Sequence, residues 1–360
     1  MCRMKISVII PFYDKREQGR ELLKQAVDSV LSQPYKNIEV IIVDDGCRVD
    51  NRRYFESLQL ANVKYYRKNN TGAGDSRNYG LRKSAADYVA FLDHDDRWVE
   101  GFLDVTIVGE LEKNYDVYGF SYFCCSSDLS RGTKMSVDAK LIGGGACAVK
   151  SSWNHHSSFI FKRDFLLSHN IEYARIDRNE DEIFRIKALY FADRVSFFDK
   201  TIFYYRNNPS SVTHQNIKTE ELYVPLINEY IKLREFFICK FPNDNEIIGI
   251  MNELICVYSI EAIEDVCASN RKSSEIQRVT EQLLLNEYIC NYTKYIKNKQ
   301  IISRISRFFN EKKDFIDCQK RKGAKRRWIN HIKRIPIVNK YYYQYSKKRY
   351  PIKIVNSYGK

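Results

Sequence analysis

Apolar positions in the first half of the chain follow two alternating patterns. Lys5–Ile10 is an unbroken, β-branched run closed by Pro11, which suits a strand covered on both faces. Over Glu21–Ser32, residues Leu22, Leu23, Ala26, Val27, Val30 and Leu31 recur at helical spacing. Ile38–Val43 repeats the strand pattern and ends in Asp44-Asp45-Gly46, and Val63–Arg67 reads as a short third strand. Ser76–Ala85 predicts a helix that leads into a strand over Tyr88–Leu92, stopping at Asp93. Strands and helices alternating in this way predict an α/β unit with a mostly parallel sheet. From about Thr219 the pattern changes to long helical runs, Glu220–Phe237, Asn245–Val266, Ser274–Ile296 and Gln300–Phe315, with Pro225 placed to delay or kink the first. The expected organisation is therefore an α/β domain over 1–216, a helical region over 217–317 and a tail over 318–360.

Composition narrows the class. With 360 residues and 44% apolar content, the chain is long enough for a full core and is not wholesale disordered. No stretch reaches the roughly 20 apolar residues of a membrane-spanning helix. Met1–Lys5 runs straight into a short strand pattern ending in Pro11, unlike a secretory leader, so the cytoplasm is the expected location. The ten cysteines are scattered without a CxxC pair and read as reduced structural thiols. Charge is the uneven feature. The net charge is +14, and Cys318–Lys360 holds 14 Lys and Arg with no acid, leaving 45 basic against 45 acidic residues before it. A neutral body with a basic tail predicts an anionic partner.

The polar clusters sit where the predicted strands end, which is where α/β sheets bind ligands. In Asp93-His94-Asp95-Asp96, two carboxylates separated by one residue can face one cation, and oxygen donors suit Mg²⁺ or Mn²⁺. A solvated, Asp-rich turn is the plainer alternative. A carboxylate in Asp44-Asp45-Gly46 can accept a hydrogen bond from a uracil imide or a ribose hydroxyl. Asn69–Asn78 carries Gly and Asn into a helix N-terminus, with Arg77 available for a phosphate or ribose. No dinucleotide fingerprint follows the first strand, which argues against NAD. His155-His156 reads as loop rather than acceptor contact or metal pair, because adjacent His side chains usually diverge, and Trp153 reads as packing.

Taken in order, these segments resemble family 2 glycosyltransferases. The resemblance spans roughly residues 5–215: Val8–Asp14, Ser29–Gln33, Val43–Gly46, Gly72, Arg77–Leu81 and Phe91–Asp96. Asp14 stands where that family usually has Asn. The resemblance implies a nucleotide-diphospho-sugar transferase (A-type glycosyltransferase) fold with a helical C-terminal region added. It implies that Pro11, Tyr13 and Asp45 line the nucleotide pocket and that Asp93 and Asp95 form the Asp-x-Asp motif touching ribose and Mn²⁺ or Mg²⁺, with Asp96 supporting the turn. Asn179–Phe184 resembles the family's Glu-Asp motif, which makes Asp181 the expected general base, ahead of Glu180. An acidic first helical turn is the alternative there. Tyr204-Tyr205-Arg206 and Ser211–His214 resemble the family's closing segment, so Arg206 or His214 is expected near the diphosphate.

The implied activity is inverting transfer from a nucleotide-sugar donor, expected to be a UDP-sugar, to a glycan or lipid-linked acceptor in capsule, lipopolysaccharide or exopolysaccharide synthesis. The tail interleaves basic residues with Trp328, Ile332, Ile335 and Tyr341–Tyr343, a pattern suited to an anionic membrane surface ahead of nucleic acid. Two rivals stand against this reading. A sugar-nucleotide-forming nucleotidyltransferase needs an N-terminal Gly-rich loop with a basic residue, which Pro11–Asp14 lacks. A nucleic-acid-binding protein with an inert α/β half has no use for the retained acids.

Overall fold

The computed structural model describes residues 4–14, 19–151, 155–207 and 219–268, together with Ser303 and Ser306. The expected helices at Ser274–Ile296 and Gln300–Phe315, the basic tail, Trp153 and Ser211–His214 lie outside the described residues.

The strands run β1 (Ile6–Phe12), β2 (Ile38–Asp44), β3 (Val63–Arg67), β4 (Tyr88–Phe91), β5 (Arg97–Trp98), β6 (Val117–Cys125), β7 (Gly132–Met135), β8 (Lys140–Ile142), β9 (Phe159–Lys162) and β10 (Val195–Arg206). The helices are α1 (Gly19–Leu31), α2 (Arg52–Ser57), α3 (Ala73–Lys83), α4 (Val105–Leu111), α5 (Ala146–Ser151), α6 (Arg163–Ser168), α7 (Glu180–Phe191), α8 (Thr219–Lys240) and α9 (Asn245–Ala268). All ten strands join one sheet whose main order is β3-β2-β1-β4-β9-β6-β10-β5, with β7 on β6 and β8 on β10. Strand β1 is parallel to β2 and β4, and β2 to β3. Strand β9 is antiparallel to both of its neighbours, β4 and β6, while β6 and β10 are parallel. The carboxyl ends of β1, β2, β4, β6 and β10 therefore share one edge with the amino end of β9.

The strand predictions hold for the first half. Every residue of β1 and β2 is buried, as their continuous apolar runs require. Each fully buried aliphatic side chain there contributes about 1.5–3 kcal/mol. Pro11 does not close β1. It stays in the ladder opposite Val43, and the strand runs on to Phe12. Helix α1 lays Leu23, Ala26, Val27 and Val30 into the core at helical spacing. Helix α3 begins three residues earlier than its apolar pattern marks. It lies so close to the sheet that a Cβ on Gly80 would come within 2.4 Å of Ile9 Cγ2, so only glycine fits.

The chain divides into two compact units, one of residues 1–218 with 228–250 and one of residues 219–227 with 251–360. In the first, Tyr230 Oη donates to Glu182 at 2.6 Å and Tyr190 Oη to Asp244 at 2.9 Å. In the second, Tyr223 Oη donates to Asp265 at 3.2 Å. Helix α8 begins at Thr219, ahead of Pro225, so the proline does not delay it. No helix among the described residues is long and apolar enough to cross a membrane. Seven cysteines among them are free thiols.

Candidate active site

Three acidic segments meet along the shared edge. Asp45 follows β2, and its N–H donates to Phe12 O at 2.8 Å, tying the ends of β1 and β2 together. Its carboxylate, almost fully buried, accepts from Thr71 N–H at 3.0 Å, Gly72 N–H at 2.8 Å and Lys68 Nζ. Gly72 sits at φ +95°, a left-handed conformation that frees this N–H for Asp45 and starts α3. Asp45 is thus the anchor of the Asn69–Gly72 loop. Pro11 is buried inside β1, and Tyr13, just past it, is 39% exposed.

Asp93 and Asp95 follow β4 in the turn that leads to β5. Two devices hold that turn. From α1, Ser29 Oγ accepts from Trp98 N–H at 3.0 Å, and from the turn after that helix Gln33 bridges Val99 O and Leu103 N–H. From the end of β10, Arg206 N–H donates to Asp96 Oδ1 at 2.8 Å and its Nε to Asp95 O at 2.7 Å. Arg206 is further held by Ser127 O and Gln25, so the structure shows it as a brace of the acidic turn. Asp96 is buried, and its Oδ2 has no hydrogen-bond partner among the described residues. Burial, and then the charges of Asp93 and Asp95, push its carboxyl well above the usual range. This crowding of negative charge, on oxygen donors alone, fits a hard divalent cation at Asp93 and Asp95.

Arg77 projects from α3 into the centre of the cluster. Its side chain is 4% exposed, with Nη2 2.6 Å from Asp93 Oδ1 and Nη1 2.8 Å from Glu180 Oε1. Its guanidinium also lies over the Tyr173 ring at 5.2 Å. The two carboxylates, rather than open space, surround the group that sequence reasoning left available for a phosphate. Burial raises the Asp93 carboxyl, but the charge of Arg77 outweighs it and holds Asp93 below the usual carboxylate range. Next to Arg77, Asn78 and Tyr173 exchange two hydrogen bonds of 2.9 and 2.8 Å through the Asn amide and the Tyr backbone. That pair fixes the approach to α7.

Glu180, Asp181 and Glu182 form the first turn of α7. Glu180 is taken by Arg77 and Glu182 by Tyr230, whereas Asp181 faces the segment before β9. There the two adjacent histidines do not diverge. His156 Nδ1 lies 3.2 Å and His155 Nε2 4.0 Å from the same oxygen, Asp181 Oδ2. The cause is the 3₁₀ turn His156–Ser158, which His155 caps by accepting Ser157 N–H at Nδ1. Sequence spacing held no sign of this convergence, because it depends on the antiparallel entry of β9 between β4 and β6. Burial raises the Asp181 carboxyl, but the His156 hydrogen bond and nearby positive charge outweigh it, leaving Asp181 well below the usual range. Burial and the neighbouring His156 push His155 down to about 4.

The two histidines and Asp181 bring their ligand atoms within 4.8 Å of one another, close enough to suggest a cation site. The hydrogen bonding gives another answer. Because His155 Nδ1 accepts a backbone N–H, that ring carries its proton on Nε2 and turns an N–H, not a lone pair, toward Asp181.

An α/β sheet with acidic turns gathered at its carboxyl edge and helices appended is the A-type glycosyltransferase fold. Residues 7–171 match the family model for glycosyl transferase family 2. It is 24% identical over 301 residues to EpsJ of Bacillus subtilis (strain 168), an uncharacterized glycosyltransferase, covering 78% of this chain and 83% of EpsJ. It is 27% identical over 169 residues to the GalNAc(5)-diNAcBac-PP-undecaprenol beta-1,3-glucosyltransferase of Campylobacter jejuni, covering 45% of this chain and 53% of that one. Among solved structures, S. aureus TarS 1-349 in complex with UDP-GlcNAc superposes with a TM-score of 0.63 at 17% identity, covering 89% of this chain and 92% of that one.

Proposed function

We propose that this glycosyltransferase uses a UDP-sugar and Mn²⁺ or Mg²⁺, and transfers the sugar with inversion to a glycan or lipid-linked acceptor of an envelope polysaccharide. The observation that carries the mechanism is Asp181: a carboxylate on the same sheet edge as Asp93 and Asp95, kept ionised by the His156 hydrogen bond and not paired with the central arginine.

In this reading Pro11, Tyr13 and Asp45 frame the nucleotide, Asp45 chiefly by shaping the loop it anchors. Arg77 serves the nucleotide from behind, by fixing Asp93 against the ribose. Asp93 and Asp95 would hold the cation, whose charge would offset that of the departing diphosphate. Asp181 removes the proton from the acceptor hydroxyl as that oxygen attacks the anomeric carbon, and the sugar–phosphate bond breaks on the opposite face. The catalytic domain is 1–216, and helices α8 and α9 follow it. The basic tail at 318–360 brings the enzyme to an anionic membrane surface where a lipid-linked acceptor resides. A structural relative solved in complex with UDP-GlcNAc and a relative named for an undecaprenol-linked substrate support the donor and acceptor classes.

Asp181→Asn tests the assignment, because it keeps size and hydrogen-bonding reach but removes basicity. Transfer should fall by about 10²–10⁴-fold while Mn²⁺-dependent UDP binding, measured by calorimetry, is retained. Near-parental transfer would remove Asp181 from the mechanism.

A further inference from the structure

We propose that His156 is a positioning residue for the general base, and that its Nδ1–H fixes which lone pair of Asp181 faces the acceptor hydroxyl. The inference rests on the reading of Asp181 given above. His156 is 1% exposed, so its ring contacts are set by the protein. On one side, Nδ1 lies 3.2 Å from Asp181 Oδ2, and a carboxylate can only accept, so Nδ1 carries the proton. On the other, Nε2 lies 3.3 Å from the buried Ser157 Oγ, a hydroxyl that can donate to it. The ring plane is wedged edge-on against Tyr173 and Phe91, with centroids 5.7 and 6.4 Å away. Tyr173 in turn stacks on Phe184 of α7 at 4.1 Å, so one aromatic column supports both the histidine and the helix that carries Asp181.

His155 adds a second, longer approach, with its Nε2–H 4.0 Å from the same oxygen. The His156 donor on Oδ2 leaves Oδ1 as the oxygen for the acceptor. A carboxylate at the first turn of a helix otherwise swings among rotamers. Holding it is worth catalysis, since a reacting group displaced by about 1 Å loses about 10²-fold in rate.

The test exploits the two ends of the imidazole. In His156→Asn the side-chain amide occupies the place of Nδ1 and keeps an N–H toward Asp181. In His156→Gln it occupies the place of Nε2, keeping Ser157 and losing Asp181. Turnover is read as UDP release on whichever of a panel of UDP-sugars the parent uses fastest, and UDP affinity with Mn²⁺ is read by calorimetry. The expected result is near-parental kcat for the Asn variant and about a 10²-fold lower kcat for the Gln variant, with KM for the donor unchanged in both. Equal losses in the two variants, or losses confined to KM, would assign His156 to packing and overturn the proposal. Independently of any variant, ¹⁵N spectra of the parent should show His156 protonated at Nδ1. An unprotonated Nδ1, or one Zn²⁺ retained per chain, would overturn it equally. If instead Asp181→Asn turned over normally while the Nδ1–H signal stood, the base assignment would fail and the hydrogen bond would remain, so the two failures are told apart.

Discussion

Arg77 and Glu180, 103 positions apart in the chain, are joined by an ion pair of 2.8 Å. The same guanidinium holds Asp93, so one buried cation links the acidic turn after β4 to the helix carrying Asp181. Removing one partner of such a pair leaves uncompensated charge inside the protein. Arg77→Met should therefore destabilise the fold by about 3 kcal/mol, read from the urea midpoint. Arg77→Lys should lose part of that, because one ammonium does not span two carboxylates as a planar fork does. A Met variant with the parental midpoint would show that the bridge contributes nothing.

Metal and nucleotide should depend on each other. Asp95→Ala should lose Mn²⁺-dependent UDP binding and transfer in the same measure, because in the proposed mechanism Asp95 would hold the cation that offsets the charge of the diphosphate. Transfer at the parental rate in excess chelator would reduce the acidic turn to a structural element.

The pH profile follows from the direction of the Asp181 shift. A base works only when deprotonated, so activity is present above its pKa in the folded enzyme and lost as pH falls through it. The groups facing Asp181 are His155, His156, Arg77, Glu180, Tyr122 and Tyr173. With Asp181 held below the usual value near 4, saturating Mn²⁺ should give kcat no acidic limb assignable to Asp181 between about pH 5 and 8. His156→Gln should bring that limb upward. A parental limb centred above pH 5 would contradict the observed hydrogen bonding.

The tail makes a separate prediction. Removing Cys318–Lys360 should release the protein from anionic vesicles, with the parent's binding falling as salt rises, since screening shortens to about 10 Å at 0.1 M. Undiminished vesicle binding by the shortened chain would move the anchor elsewhere.

Sequence reading reached the strands that are simplest in one dimension. Strands β1 and β2 are continuous aliphatic runs because both faces are covered, and the acids that follow β1, β2 and β4 stand at the edge where ligands meet such sheets. The second half of the sheet was not legible. Strands β6 and β10 mix aromatic and polar positions, and β10 shifts register against β6 twice. The meeting of His155 and His156 with Asp181 was missed for the same reason. It spans 25 positions and depends on a strand running against its neighbours, which spacing does not encode. The surroundings of Arg77 were also hidden, since its partners are 16 and 103 residues away. A charged residue following Gly72-Ala73-Gly74-Asp75-Ser76 at a helix start is equally compatible with a phosphate and with two carboxylates.

Helix α3 is fastened at every turn: Asp45 holds its first N–H neighbours, Arg77 and Asn78 reach across to α7 and its approach, and Gly80 is pressed on Ile9. No part of it can fray without undoing the sheet beneath. Its amides should accordingly exchange with solvent deuterium only through unfolding of the whole catalytic unit, the slowest class of exchange in a protein. Saturation with UDP and Mn²⁺ would then slow exchange in the Asn69–Gly72 loop and leave Ser76–Leu81 at the global rate. Such an exchange pattern would place a persistent helix directly behind the acidic cluster and leave the breathing to the loops around it.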